Sequence, residues 1–217
     1  VEDPIEYRME SINQIEVNRA AGIDFPGGLR SIMRLDPDVI LVGEIRDREV
    51  MEQALTITET GHLCLATIHT TNAYQAIERI VNFFPEDLTP QIRLNLAMNL
   101  KAIISQRLIA GTQGSLVPAV EIMLNQGLVR ELILKGEIAK IKDVMEQNSN
   151  LGMCTFDQSL MDLYQRGLIS KDTAITNSDR PSDLKIKIQQ IDLAGQTDKF
   201  TGEEGLRKID TSRITFG

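Results

Sequence analysis

Two short apolar runs with a helical segment between them constrain the fold of this chain more than any other feature. Residues 38–43 and 63–69 each have the length of a strand, and unbroken apolar runs are typical of strands buried on both faces of a parallel sheet. The segment between them has the cap, the apolar face and the glycine stop of a helix, in the order Asp47, Val50, Ala54, Ile57 and Gly61. This order predicts two parallel strands with a right-handed crossover, and therefore an α/β fold.

The segments that flank this unit are predicted from their apolar spacing. Residues 15–18 are predicted to form a short strand, and Asp24 and Asn72 are predicted to cap the helices that follow them. A longer amphipathic helix is predicted from Thr89 to near Leu108, because its apolar residues recur at helical spacing: Ile92, Leu96, Leu100, Ile103 and Ile104.

These elements divide the 217 residues into three predicted parts. Residues 1–110 are predicted to form part of a parallel-sheet core. Residues 111–180 are predicted to form a small helical domain that begins with a hairpin around two glycines, Gly111 and Gly114. Residues 181–217 are predicted to be a mobile tail, in which only residues 184–188 show strand-like alternation.

Composition excludes several classes of function. The chain has 23 Lys and Arg against 31 Asp and Glu, a net charge of -8, which argues against binding to nucleic acids or anionic membranes. Its two cysteines, Cys64 and Cys154, lie among apolar residues, so they favour a reducing compartment over a zinc or disulfide framework. No run approaches the length of about 18 apolar residues that a membrane span needs, and we expect a soluble cytoplasmic protein.

Chemically active side chains are predicted at one edge of the sheet. Glu44 follows the first apolar run after one glycine, His69 closes the second, and the acidic residues 2–6 would follow a strand that lies before Val1. Ligands of open parallel sheets bind beyond the carboxyl ends of the strands. A carboxylate there can hold a metal-bound water or accept its proton, and Arg46 can neutralise developing negative charge, which suits phosphoryl transfer.

Each of these residues also has an ordinary structural interpretation. A glutamate at a strand end is commonly solvated, Arg46 and Asp47 can form an ion pair at a helix start, and Arg34 can be a solvated helix end. The two histidines, His62 and His69, lie seven positions apart across one strand. Their side chains therefore point to opposite faces, which argues against their binding one metal ion.

Three segments together resemble the acidic box, Walker B region and histidine box of the secretion ATPases. They are VEDPIEY at residues 1–7, LRSIMRLDPDVILVGEIRD at residues 29–47, and TGHLCLATIHT at residues 60–70. The secretion ATPases are RecA-like hexameric motors of type II secretion and type IV pili. All three motifs occur in order, which makes the signal specific. The resemblance implies a partial RecA-like core followed by a small helical domain.

The resemblance also implies roles for the acidic residues. Glu44 corresponds to the Walker B carboxylate that organises magnesium and water for ATP hydrolysis. Gly43 stands where other NTPases have the Walker B aspartate, so magnesium is expected to be held through water. Glu6 corresponds to the acidic-box carboxylate that polarises the attacking water.

Basic residues and histidines have roles by the same resemblance. His69, with His62, would sense the terminal phosphate of ATP and couple the site to movement. Arg46 would support the same edge, and Arg34 would reach phosphate from the preceding helix.

One expected motif, the glycine-rich loop that ends in Gly-Lys-Ser or Gly-Lys-Thr, does not occur between residues 1 and 217. This loop cradles the phosphates in such ATPases and precedes the acidic box in this family. We therefore expect the chain to be the C-terminal portion of a longer ATPase, and to be inactive by itself.

Other segments bear on the branch of the family. Residues 117–125 and 152–160 resemble the pilus retraction ATPases of the PilT and PilU type. Residues 127–133 depart from the PilT pattern and favour the accessory PilU-like branch, whereas residues 22–30 resemble the extension and secretion branch. The leading prediction is a hexameric motor subunit for type IV pilus retraction and twitching motility.

The predicted partners are other copies of the chain, a paralogous retraction ATPase and an inner-membrane platform protein, with no nucleic acid. Two alternatives stay open. The first is a pilus assembly or type II secretion ATPase, although two cysteines cannot form the four-cysteine zinc element usual there. The second is a noncatalytic accessory subunit of a retraction motor.

Overall fold

The computed structural model describes the backbone of residues 1–201 and the side chains of residues 1–193. The elements in chain order are α1 (Phe25–Ile32), β1 (Val39–Val42), α2 (Arg48–Glu59), β2 (Leu63–Ala66), α3 (Ala73–Asn82), α4 (Thr89–Asn99), β3 (Ala102–Ala110), β4 (Leu116–Leu124), α5 (Leu128–Lys135), α6 (Ile141–Gln147), α7 (Phe156–Gln165), α8 (Lys171–Asn177) and α9 (Pro181–Thr201). No helix among these residues has the length and apolar character needed to cross a membrane.

The chain forms two compact units, and their boundaries differ from the predicted ones. The first unit contains residues 1–106 and 121–155, and the second contains residues 107–120 together with those from 156 onward. Helices α5 and α6 therefore belong with the sheet and not to a separate helical domain. Their buried side chains, among them Val129, Ile133 and Ile141, join the same apolar core as β1 and α2.

The predicted strand, helix and strand are present in the first unit. β1 and β2 pair in parallel, with Val39 opposite Leu63 and Val42 opposite Ala66. The helix between them, α2, begins after Asp47, whose carboxylate accepts a hydrogen bond from the amide of Val50 at 2.9 Å.

The prediction that both faces of these strands are buried is wrong for one face. Ile40 and Val42 of β1 point into the core. The other face carries four apolar side chains that are between 39% and 52% exposed: Val39, Leu41, Leu63 and Leu65. Side chains alternate along a strand, so burial on one side alone leaves every second residue open.

Two further segments extend the sheet beyond β1. The amide of Gly43 donates to the carbonyl oxygen of Val1 at 2.8 Å, and the amide of Glu2 donates to that of Ile15 at 3.1 Å. Residues 15–18 make single bridges here and not the predicted strand. A Cβ atom on Gly43 would lie 2.9 Å from the Val1 oxygen, so only glycine allows this close approach.

The long helix predicted from Thr89 to Leu108 is wrong in its second half, because α4 ends at Asn99 and β3 follows from Ala102. The Asn125 side-chain amide donates to the carbonyl oxygens of Leu96, Ala97 and Leu100 at 2.8 to 3.1 Å, which satisfies the last turn of α4. The isoleucines that follow are β-branched and suit a strand as well as a helix. β3 pairs with β4, which confirms the predicted hairpin.

The second unit has its own core, which includes a helix where a tail was predicted. Leu184 and Ile188 lie four positions apart on α9 and are 2% and 0% exposed. Asp192 on the same helix accepts hydrogen bonds from the hydroxyl of Tyr164 at 2.7 Å and from Nζ of Lys171 at 3.0 Å. Residues 184–188, which show strand-like alternation in sequence, are therefore part of a helix. Residues 202–217 lie outside the described part of the chain.

Candidate functional site

A cleft of about 370 Å³ lies at the carboxyl edge of the β1–β2 sheet, within the first unit. It is lined mostly by residues that follow β1 and β2 and by the acidic N-terminal segment: Glu2, Asp3, Pro4, Glu6, Arg19, Phe25, Leu41, Gly43, Glu44, Arg46, Asp47, Val50, Thr67 and His69. This is the edge at which open parallel sheets bind their ligands. Four of the six predicted site residues lie here: Glu6, Glu44, Arg46 and His69.

Glu44 is held from two sides in this cleft. Its Oε2 accepts a hydrogen bond from Nε of Arg46 at 2.6 Å, and its Oε1 lies 3.0 Å from Nε2 of His69. The Glu44 side chain is 20% exposed, whereas those of Arg46 and His69 are 60% and 80% exposed. The carboxylate is thus oriented by two partners that themselves remain open to solvent.

Hydrogen bonds beyond the ends of β1 and β2 fix this geometry. The amide of Ile45 donates to the carbonyl oxygen of Thr67 at 2.8 Å, and the Thr67 hydroxyl donates to the carbonyl oxygen of Gly43. The loop after His69 is held by Arg79 of α3, whose guanidinium donates to the His69 carbonyl oxygen at 3.1 Å. Thr67 is not among the predicted site residues, although a threonine at the carboxyl end of a predicted strand is a usable signal.

The acidic segment forms one part of the cleft lining, the acidic wall. Glu2, Asp3 and Glu6 all line it, and the guanidinium of Arg19 lies 3.9 Å from the Asp3 carboxylate. Arg19 is 83% exposed, so solvent screens this contact. The segment is tied back by Gln14, which is also absent from the predicted site residues.

Two predicted site residues are not brought to this cleft. Nδ1 of His62 lies 3.0 Å from the hydroxyl of Thr60 and 3.3 Å from the carbonyl oxygen of Ile57. His62 immediately precedes β2, whereas His69 follows it, so the two lie at opposite ends of the strand. Arg34 is exposed in the turn that precedes β1, again at the amino edge of the sheet.

The donor atoms of the cleft suit a partly hydrated magnesium ion better than a metal ion that is fully enclosed by protein ligands. Within the described part of the chain, no three His, Cys, Asp or Glu side chains come together as a metal site. Magnesium is commonly held by one or two carboxylates together with water and phosphate oxygens. The Glu44 carboxylate opens into the cleft beside the acidic wall, so it fits a magnesium ion held through water.

The cysteine nearest to the site belongs to the core. Cys64 of β2 is half-buried against the core cluster of the first unit, and burial raises the pKa of its thiol to about 11. A thiol with such a pKa stays protonated at neutral pH and is a poor nucleophile.

Comparison with known proteins identifies the family. Residues 1–155 match the family model described as type II/IV secretion system protein. The chain belongs to this family. Its similarity to curated members extends over most of its length. It is 44% identical over 193 residues to the type IV pilus ATPase PilU of Pseudomonas aeruginosa, covering 87% of this chain and 50% of that protein.

Two further members of the type II/IV secretion family match it closely. The type IV pilus retraction ATPase PilT of Pseudomonas aeruginosa is 43% identical over 178 residues, covering 80% of this chain and 52% of PilT. A crystal structure of the pilus retraction motor PilT with bound ADP superposes with a TM-score of 0.75 at 39% identity, covering 84% of this chain and 52% of that one. The chain spans about half the length of these relatives. The predicted α/β architecture, followed by a helical region, is confirmed.

Proposed function

We propose that this chain supplies the water-activating side of the ATP site in a type IV pilus retraction ATPase. The observation that carries the proposal is the joined group of Glu44, Arg46 and His69 at the sheet edge, in a cleft that is also lined by Glu6 of the acidic wall. The names of the related proteins PilU and PilT support the pilus assignment. Twitching motility would be the cellular outcome, since a related protein from Neisseria gonorrhoeae is a twitching motility protein.

The proposed reaction is hydrolysis of the terminal phosphate bond of ATP. The oxygen of a water molecule attacks the γ-phosphorus while the bond to the β–γ bridging oxygen breaks, and a carboxylate takes the proton of the water. Glu6 polarises this water from the acidic wall. Glu44, in the same cleft, orients it, since Arg46 and His69 fix the direction of the Glu44 carboxylate.

The same cleft provides groups for charge neutralisation and sensing. Glu44 would hold magnesium through water, and the ion neutralises phosphate oxygens when bound. Arg46 is placed to offset negative charge that develops on the phosphate. His69 contacts Glu44 through its ring and α3 through its carbonyl oxygen, so a change at the terminal phosphate can reach that helix. His62 and Arg34 remain predictions without a place in this cleft.

The proposal requires a phosphate-binding loop from a longer polypeptide. No Gly-Lys-Ser or Gly-Lys-Thr sequence occurs in the 217 residues, and the related PilU and PilT are about twice as long as the matched part. The exposed apolar face of Val39, Leu41, Leu63 and Leu65 supports the same conclusion, because parallel sheets are ordinarily covered on both faces. Leu41 belongs both to this face and to the cleft wall.

The proposed assembly is a hexameric ring of identical subunits at the cytoplasmic face of the inner membrane. Its proposed partners are a paralogous retraction ATPase and a platform protein of the pilus machine. This follows the family resemblance and the description of PilT as a pilus retraction motor.

Hydrolysis of ATP with and without the upstream polypeptide tests the proposal. We expect magnesium-dependent turnover by a longer protein that carries a phosphate-binding loop ahead of residue 1, and none by the 217-residue chain. Turnover by the 217-residue chain would contradict the proposal that the ATP site needs a phosphate-binding loop from a longer polypeptide. A longer protein that binds ATP but does not hydrolyse it would favour the noncatalytic accessory subunit instead.

A further inference from the structure

One side chain, Gln14, ties together the loop that carries the acidic wall. Its Nε2 donates hydrogen bonds to Oε2 of Glu2 at 3.0 Å and to the carbonyl oxygen of Tyr7 at 2.9 Å. Its Oε1 accepts a hydrogen bond from the amide of Met9 at 2.9 Å. Both ends of the amide are therefore used, in contacts with the loop at Tyr7 and Met9 and with Glu2 at its base.

These hydrogen bonds bracket Glu6 in the chain. On one side of Glu6, the amide of Ile5 donates to Oε1 of Glu16 at 3.3 Å. On the other side, the carbonyl oxygen of Tyr7 accepts from Gln14. Both backbone neighbours of Glu6 are thus held by side chains from the segment that returns to the sheet.

Hydrogen bonds matter more than burial for the path of this loop. Three of its large apolar side chains are open to solvent, with Tyr7 77%, Met9 41% and Ile12 55% exposed. A segment with few buried apolar contacts opens easily unless its polar contacts hold it. The base of the loop is anchored separately, because the amide of Val17 donates to the carbonyl oxygen of Glu2 at 3.0 Å beside β1.

We infer that Gln14 is a positioning residue whose amide fixes the loop of residues 3–13 and thereby sets Glu6 against the cleft. The inference rests on the proposed function for the role of Glu6, but the contacts of Gln14 do not depend on it. A carboxylate that acts on a bound water must be held closely, since a displacement of about 1 Å can cost about 100-fold in rate. An exposed glutamate such as Glu6 obtains that precision from its backbone.

The first experiment measures amide hydrogen exchange of the 217-residue chain. Gln14→Met keeps the length of the side chain and removes its donor and acceptor atoms. We expect the amide of Met9 to exchange about tenfold faster, since it loses its acceptor, and that of Ile5 to follow as the loop loosens. Gln113→Met, an exposed glutamine at the β3–β4 turn, serves as the control and should leave both amides unchanged. Unchanged exchange of Met9 and Ile5 in Gln14→Met would overturn the inference.

The second experiment is a double-mutant cycle in the longer protein, measured by ATP hydrolysis. Gln14→Met should lower kcat about tenfold to 100-fold and leave KM nearly unchanged, because binding of ATP does not require Glu6. In a Glu6→Gln background the same change should have little further effect. If the loss of kcat in the double variant equals the product of the two single losses, Gln14 acts on general stability and not through Glu6. That result would overturn the positioning role.

The two experiments separate failure of this inference from failure of the proposed function. If the longer protein does not hydrolyse ATP at all, the proposed function fails, and the exchange rates of Met9 and Ile5 still decide whether Gln14 fixes the loop. If it hydrolyses ATP and Gln14→Met has the kcat of the unsubstituted protein, the proposed function stands and the inference fails.

Discussion

Nε2 of His69 lies 3.0 Å from Oε1 of Glu44, so the residues that follow two neighbouring parallel strands meet at one edge of the sheet. The contact depends on the register of β1 and β2, which places Val42 opposite Ala66 and so brings both strands to an end at the same level. Because parallel strands end at the same edge of the sheet, the Glu44 carboxylate and the His69 imidazole come into contact there.

The two histidines provide a matched pair for the first prediction. His69→Ala in the longer protein should lower the rate of ATP hydrolysis about 100-fold or more, because it removes a partner that orients Glu44. His62→Ala should change the rate little, since His62 lies at the other end of β2. Steady-state hydrolysis measures both. Equal losses in the two variants would contradict the placement of the site.

A second prediction concerns the close approach of the chain at Gly43. Gly43→Ala should lower the free energy of unfolding by about 1–3 kcal/mol, because the added Cβ atom would lie 2.9 Å from the Val1 carbonyl oxygen. Urea unfolding measures the loss. Hydrogen exchange should localise it to the amides of Glu2 and Val17 and leave β4 unaffected. An unchanged free energy of unfolding would show that residues 1–2 do not pack against β1.

A third prediction follows from the raised pKa of Cys64. In the folded chain the thiol keeps its proton up to a pKa of about 11, whereas the unfolded thiol loses it near the ordinary value of 9.0. Deprotonation therefore favours the unfolded state, and this contribution to stability is lost as the pH rises from about 9 to 11. Between these values, the unsubstituted chain should lose stability relative to Cys64→Val. Parallel stability curves for the two proteins would contradict the burial of the thiol.

The fourth prediction tests the core of the second unit. The Arg107 guanidinium carbon lies 3.8 Å from the ring centre of Phe156, and its Nη2 donates to Oδ1 of Asp179 at 2.9 Å. Lysine cannot make both contacts with the same geometry, so Arg107→Lys should cost about 2 kcal/mol or more of unfolding free energy.

Arg166→Lys is the matched control for the unfolding free energy of Arg107→Lys, with both measured by urea unfolding. Arg166, just after α7, pairs with Asp162 of that helix, and both side chains are more than half exposed. Its substitution should change the free energy of unfolding by less than about 0.5 kcal/mol. Equal effects at Arg107 and Arg166 would show that the Phe156 contact adds nothing.

Helix caps and the period of apolar runs predicted much of the fold of this chain. The capping residues Asp24, Asp47 and Asn72 each accept a hydrogen bond from the first turn of a helix, as expected from side chains that satisfy free amides. The place of Glu44 and His69 followed from the period and length of the apolar runs around β1 and β2. These features need only residues that are close in the chain.

The errors arose where packing and loop geometry, and not apolar spacing along the chain, determine the structure. The end of α4 depends on Asn125, which reaches back to the last carbonyl groups of that helix. α9 is fixed by the burial of Leu184 and Ile188, a helical spacing within a sequence that also alternates like a strand. Gln14 carries no motif, and its value comes from contacts with a loop that bends back toward it. Each of these relationships depends on tertiary packing or loop geometry, which the spacing of apolar residues alone does not reveal.

The most direct test of the central claim is magnesium-dependent ATP hydrolysis by the longer protein with Glu44→Gln, compared with Glu78→Gln on the exposed face of α3. We predict that Glu44→Gln loses nearly all turnover while still binding ATP, because the carboxylate that Arg46 and His69 orient is gone. Glu78→Gln should keep the full rate, since it lies outside the cleft lining. Normal turnover by Glu44→Gln would contradict the account.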